Sequence, residues 1–142
     1  MRNILFLILS SISAFGQKEK ELIGSWKQEK VYTVKDNEFI MNSIGEPHPF
    51  DTLRLNNDKT FTVNCFSTHP KDFRSDLTYW TIAGEWEFAD PELRFRKIRN
   101  VKTNKRRINK TAYTILRNDE LFINFGFSDD TKKLYVKYIR IE

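Results

Sequence analysis

Glycine, proline, histidine and cysteine are all scarce in this 142-residue chain, at five, four, two and one. Each shortage excludes something. So few glycines and prolines rule out a linker-rich or low-complexity polymer, and the chain is expected to fold rather than stay disordered. The single cysteine, Cys65, excludes an intrachain disulfide, so the core alone must hold the fold. Cys65 falls on the apolar phase of its segment and reads as a small buried hydrophobe. The two histidines, His48 and His69, both precede proline and lack ligand spacing. With Glu46 they would form a metal site only if two loops met, so no metal is expected. No phosphate loop, Gly-x-Ser-x-Gly or His-Glu-x-x-His occurs, so neither an enzyme nor a cofactor is expected. A barrel-mouth enzyme, the weakest reading, would have to use His48 or His69.

Long apolar runs are missing too. The one apolar stretch, 4–9, follows Arg2 and precedes Ala14 and Gly16, small residues placed for cleavage before Gln17. This is the pattern of a secretory signal peptide over 1–16, and it is far shorter than the ~20 residues of a membrane helix. No cysteine follows at which a lipid could be attached. The expectation is a periplasmic or secreted protein with no membrane span and one domain over 17–142.

What is abundant is aromatic: 12 Phe, 5 Tyr and 3 Trp. They fall in short alternating segments separated by polar turns. Strands are expected over 22–34, 38–41, 51–55, 60–66, 79–88, 92–98, 108–116, 120–125 and 133–141, with loops over 43–50 and 67–76. The cleanest alternation puts Trp80, Ile82, Gly84, Trp86 and Phe88 on one face, with Glu85 and Glu87 on the other. Gly84 within the apolar face marks a bend or bulge. No sustained helical stripe is present. Eight to nine strands at this spacing predict an all-β, antiparallel up-and-down β-barrel, whose closure removes exposed edges.

The tripeptide Gly24-Ser25-Trp26 opens this series. Leu53-Arg54-Leu55, then Asn57-Asp58-Lys59-Thr60-Phe61, then Gly84-Glu85-Trp86, Tyr113-Thr114-Ile115 and Glu120-Leu121-Phe122 follow in order. Over 21–141 this order resembles the bacterial lipocalin-like domain families. The resemblance implies a barrel that works by holding something inside or at its mouth. It also implies that Gly24 and Trp26 form the barrel floor and that a basic residue of the last strand packs over Trp26. Arg140 is the candidate, with Lys137 as fallback. The chain lacks the Thr-Asp-Tyr motif and the disulfide of the longer animal lipocalins, and it ends on its last strand.

Two functional readings follow. In the first, Phe61, Trp80, Trp86, Phe88, Phe95, Tyr113 and Phe125 line a cavity for a small apolar or amphipathic ligand; the alternative is that they fill it. The second reading rests on the segment 94–110, which holds nine basic residues and no acid. Outside it and the leader, fourteen basic residues face nineteen acidic ones. This basic hairpin, with Arg96, Arg99, Lys105, Arg106 and Arg107 as the candidates, would bind an anionic glycolipid, glycan or acidic protein; otherwise it is a solvated loop. No nucleic acid is expected as partner, because the protein is expected to be exported and the run beyond Phe95 has no interleaved stacking rings. The protein is expected to be a monomer.

Overall fold

The computed structural model describes residues 16–35, 38–41, 50–67, 78–125 and 133–142. The segment 1–15 and the residues Glu46, His48 and His69 lie outside them.

Nine strands follow a short helix over 16–22. They are β1 (Gly24–Lys35), β2 (Glu38–Met41), β3 (Phe50–Leu55), β4 (Thr60–Ser67), β5 (Thr78–Ala89), β6 (Glu92–Asn100), β7 (Lys110–Arg117), β8 (Glu120–Asn124) and β9 (Lys133–Arg140). Every pairing is antiparallel, and from β3 to β9 each strand pairs with the next in the chain. β1 closes the ring. One of its edges meets β9 from Trp26 to Val34. Its other edge is shared, with Gly24–Lys27 on β3 and Tyr32–Lys35 on β2. The result is an eight-stranded, closed up-and-down barrel with β2 attached to one half of β1.

The alternation of each strand decides what faces inward. Phe61, Val63 and Cys65 of β4, Ile82 and Trp86 of β5, Leu93 and Phe95 of β6, and Val136 and Tyr138 of β9 are all buried. Arg54, Asn64, Glu85, Glu87 and Arg96 are exposed. Apolar inside and charged outside is the reverse of a membrane-spanning barrel, which turns its apolar residues to lipid. No helix among the described residues is long and apolar enough to cross a membrane.

One end of the barrel is shut. Its connections are the tight turns 56–59, 90–91 and 118–119. Asn118 takes φ 53°, the positive value that two-residue hairpin turns require. Here the helix brings Leu22 against the core, and Trp26 Nε1 donates 2.9 Å to the Leu22 carbonyl. Trp26 is 0% exposed, the floor position expected of it. The helix itself corrects the sequence reading, which began a strand at Leu22. Seven residues are too few to show a helical stripe.

Three bulges interrupt the ladders among the described residues; one lies between Gln28 and Lys30 of β1, and two others reset the alternation of inward residues. Of those two, one lies between Phe50 and Thr52 of β3, the other opposite Ala83–Glu85 in β6, where Lys97 adopts φ 50°. Gly84 sits at the β6 bulge. A Cβ there would come within 2.5 Å of the Arg96 carbonyl oxygen and 2.8 Å of the Phe61 ring, so only glycine lets the strands approach. Beyond the bulge β6 runs to Asn100, two residues past its expected end, and β7 starts at Lys110, two residues after its expected start.

Candidate functional site

Opposite the floor, among the described residues, lies the long connection 101–109 between β6 and β7. Functional groups on rigid barrels concentrate at such ends. Among the described residues, the mouth there has an aromatic floor. Phe61 meets Phe95 edge-on with ring centroids 4.8 Å apart, Phe95 stacks with Phe125 at 6.5 Å, and Phe125 meets Phe50 edge-on at 5.0 Å. Such offset and edge-to-face pairs suit the ring quadrupoles. Val63, Ile82 and Ile98 complete the apolar lining.

The void enclosed by these side chains is about 40 Å³. Ligand pockets run from roughly 300 Å³ upward, so the gap between these particular side chains is well below that size. Phe50, Phe61, Phe95 and Phe125 are all buried and pack against one another.

The rim is cationic. Lys110 Nζ lies 5.7 Å from the centre of the Phe50 ring, within cation–π range. Burial lowers the Lys110 pKa, and the neighbouring Arg107 charge lowers it further. Both act against the charged ammonium, which an incoming anion would stabilise. Arg107 and Ile108 border the same void.

Three of the seven aromatic residues expected to line a cavity therefore meet at one place: Phe61, Phe95 and Phe125. The other four do not join them. Trp86 is 1% exposed and tied to the floor end, where its Nε1 donates 3.0 Å to the Asn56 carbonyl and Lys59 lies 4.6 Å from its ring. Phe88 is half-buried at that end, beside Leu22 and Leu116. Trp80 is half-buried opposite Cys65, and its buried Nε1 finds no acceptor among the described residues. Tyr113 corrects the inward assignment. It is 49% exposed because β7 turns Ala112 and Thr114 inward. Phe50 was missed because it was placed in the loop 43–50, whereas β3 begins at it, and Ile98 because strict alternation from Phe95 points it outward. The β6 bulge turns Ile98 in.

Gly24, Trp26 and Arg140 come together at the closed end. The Arg140 guanidinium carbon lies 4.2 Å from the centre of the Trp26 ring. Its Nη1 donates 2.8 Å to the Ile23 carbonyl, its Nη2 donates to the Glu21 carbonyl, and Nε pairs with Asp119 at 3.1 Å. Gly24 has φ 142°, and a Cβ would lie 2.6 Å from Arg140 Nη1. Lys137, the fallback, is engaged elsewhere, with Glu29 and Glu120.

The basic hairpin divides in two. At its root Arg94 pairs with Glu92, Arg96 with Glu87 and Lys97 with Glu85. Toward its tip Arg99, Lys105, Arg106 and Arg107 make no ion pair among the described residues. A broad open concavity lies outside the barrel over β4, β5 and β6, bordered by this hairpin. Cys65 is 1% exposed, and burial pushes its thiol up to about 12, which suits packing and not nucleophilic chemistry. No group of three His, Cys, Asp or Glu converges to hold a metal among the described residues. No protein-family model matches the chain, and no curated protein matches it in sequence.

Proposed function

We propose that this is an exported, non-catalytic lipocalin-like protein that binds a small amphipathic molecule at the mouth of its barrel. The observation that supports this most directly is the pairing of a phenylalanine floor with a cationic rim. Phe50, Phe61, Phe95 and Phe125 offer an apolar seat, and Lys110 is held over it in a partly desolvated position. A ligand with an apolar body and an acidic or strongly polar head matches both. At about 40 Å³ the gap between these rings would have to widen to admit such a ligand. The leader pattern supports export to the periplasm or beyond, and the order of motifs from Gly24 to Arg140 supports the family reading.

Native mass spectrometry of the purified protein, coupled to organic extraction, tests the proposal. The expected result is a small bound molecule, or failing that a hydrophobic fluorescent probe that binds one to one. Phe125→Ala and Lys110→Met should each weaken probe binding roughly tenfold, the scale of one lost apolar or charged contact. Tyr113→Ala, on the outer face, should leave it unchanged. A protein that carries nothing and enhances no probe would leave the barrel as a filled scaffold.

A further inference from the structure

The tip of the hairpin between β6 and β7 combines two features that seldom meet by chance. The first is uncompensated positive charge. Arg99 and Arg106 are direct antiparallel partners, so their side chains share one face. Like charges placed opposite each other across a ladder destabilise it. Neither has an acidic partner among the described residues, and the outward neighbours of Arg99 along the same row are Ala83 and then Thr62. Two residues further along β5 the row carries Glu85, and there the neighbouring cations are neutralised. Lys102, Lys105 and Arg107 add three more cations without ion pairs among the described residues. All five lie within nine residues of one hairpin.

The second feature is exposed aliphatic surface in the same segment. Ile108 is 88% exposed and Val101 56%. They flank the basic tip from both sides. The tip is not a floppy loop. Asn100 N donates to the Lys105 carbonyl, Arg107 N to the Ile98 carbonyl and Val101 N to the Thr81 carbonyl, at 2.9, 2.7 and 2.9 Å. The Asn100 side chain also accepts from the Lys102 and Thr103 amides. The charges and the aliphatics are thus held in place on a fixed projection at the open end of the barrel.

We propose that this hairpin tip docks the protein onto an anionic lipid surface. Basic side chains are drawn to the negative surface potential, and aliphatic side chains enter the headgroup–acyl boundary. Adjacent guanidinium groups such as Arg99 and Arg106 suit lipid phosphates. A soluble acidic glycan or protein would use the cations but give Ile108 and Val101 no apolar partner. Single-stranded nucleic acid would need stacking rings, and 99–110 contains none. The proposal does not depend on what the mouth holds, although docking there would bring the phenylalanine floor to the bilayer.

Vesicle co-sedimentation tests it without reference to any bound ligand. The purified protein should pellet with vesicles of phosphatidylcholine and phosphatidylglycerol at about 3:1 in about 0.1 M salt. It should not pellet with phosphatidylcholine alone. Raising salt to about 1 M, which shortens the Debye length to about 3 Å, should release it. A triple substitution, Lys105→Ser, Arg106→Ser and Arg107→Ser, should lower partitioning roughly a hundredfold, at about fivefold per basic residue. The double substitution Val101→Ser, Ile108→Ser touches only exposed positions, so folding should survive, which near-ultraviolet circular dichroism checks. It should lower vesicle partitioning roughly tenfold or more while leaving retention on heparin unchanged. Failure to pellet with the anionic vesicles would overturn the proposal. So would unaltered vesicle binding in the Val101/Ile108 double variant, since that would leave a plain polyanion patch.

Discussion

Arg140 and Trp26 face each other across the β1–β9 seam, with the guanidinium 4.2 Å from the ring centre and its donors spread over Ile23, Glu21 and Asp119. The pair joins the last strand, the first strand and the helix in one contact. Trp26→Ala should cost about 3–5 kcal/mol, as a fully buried aromatic does. Arg140→Met keeps the packing but removes the charge and the hydrogen bonds, and should cost about 1–3 kcal/mol. Equilibrium urea unfolding measures both. A Trp26→Ala variant within 1 kcal/mol of the parent would contradict its place in the floor.

Two glycines are fixed by close approach. Gly24→Ala forces an alanine to φ 142° and drives its Cβ against Arg140 and the Glu142 carbonyl. Gly84→Ala drives a Cβ against the Arg96 carbonyl and Phe61. Each should cost about 1–3 kcal/mol. Gly84→Ala should also disturb the mouth, because the bulge it occupies turns Ile98 inward. A weakened probe affinity in Gly84→Ala, absent in Gly24→Ala, is the expected contrast.

Cys65 should be inert while the barrel is folded. Its thiol is buried and shifted from 9.0 to about 12 by desolvation, with Arg107 acting weakly the other way. At pH 8 a thiol reagent should leave the native protein unmodified and take up one equivalent in denaturant. The same shift makes stability fall as pH rises from about 9 to about 12, since the unfolded chain loses this proton first. Cys65→Ala should flatten that part of the pH profile. Rapid labelling of the native protein would place the thiol at an accessible surface instead.

Lys137 connects three strands. Its Nζ lies 2.6 Å from Glu120 on β8 and 2.8 Å from Glu29 on β1. The hydrogen bonds to Glu120 and then Glu29 raise its pKa above 10.5, despite opposing desolvation. Its contribution is complete below pH 10.5 and is lost as pH rises through the higher folded value. Lys137→Met should cost about 1–2 kcal/mol at neutral pH, both carboxylates being partly exposed. Between pH 10 and the alkaline limit the variant should lose less stability than the parent. An identical alkaline slope in the two proteins would show that the triad contributes nothing.

Strand number, strand order and the floor were legible in the sequence because they rest on period-two alternation and on turn residues. Gly24, Trp26 and Arg140 were legible as a trio. The mouth was legible only in part. Alternation carries no information across a bulge, and bulges at Phe50–Thr52 and at Lys97 lie between the legible strands and the mouth. Ile98 was lost for that reason, and Phe50 because Pro47 and Pro49 extended the expected loop over it. Tyr113 was assigned inward because an aromatic in a short strand carries no sign of which phase is buried. The division of the hairpin into a neutralised root and a charged tip depends on cross-strand partners such as Glu85 and Glu87, which are distant from it in sequence.

The seam between β1 and β9 has a consequence for the order of events in folding. Residues 24–34 must wait for residues 133–140 before the ring can shut, so the most distant segments of the chain make the closing contact. Until then β1 and β8 are open edges that other chains can pair with. Closure of this kind is slow, because the entropy of joining remote segments is lost before their contacts form. A chain that emerges from its N-terminal side onward would therefore spend its riskiest interval late, with nearly all its strands made and its edges still bare.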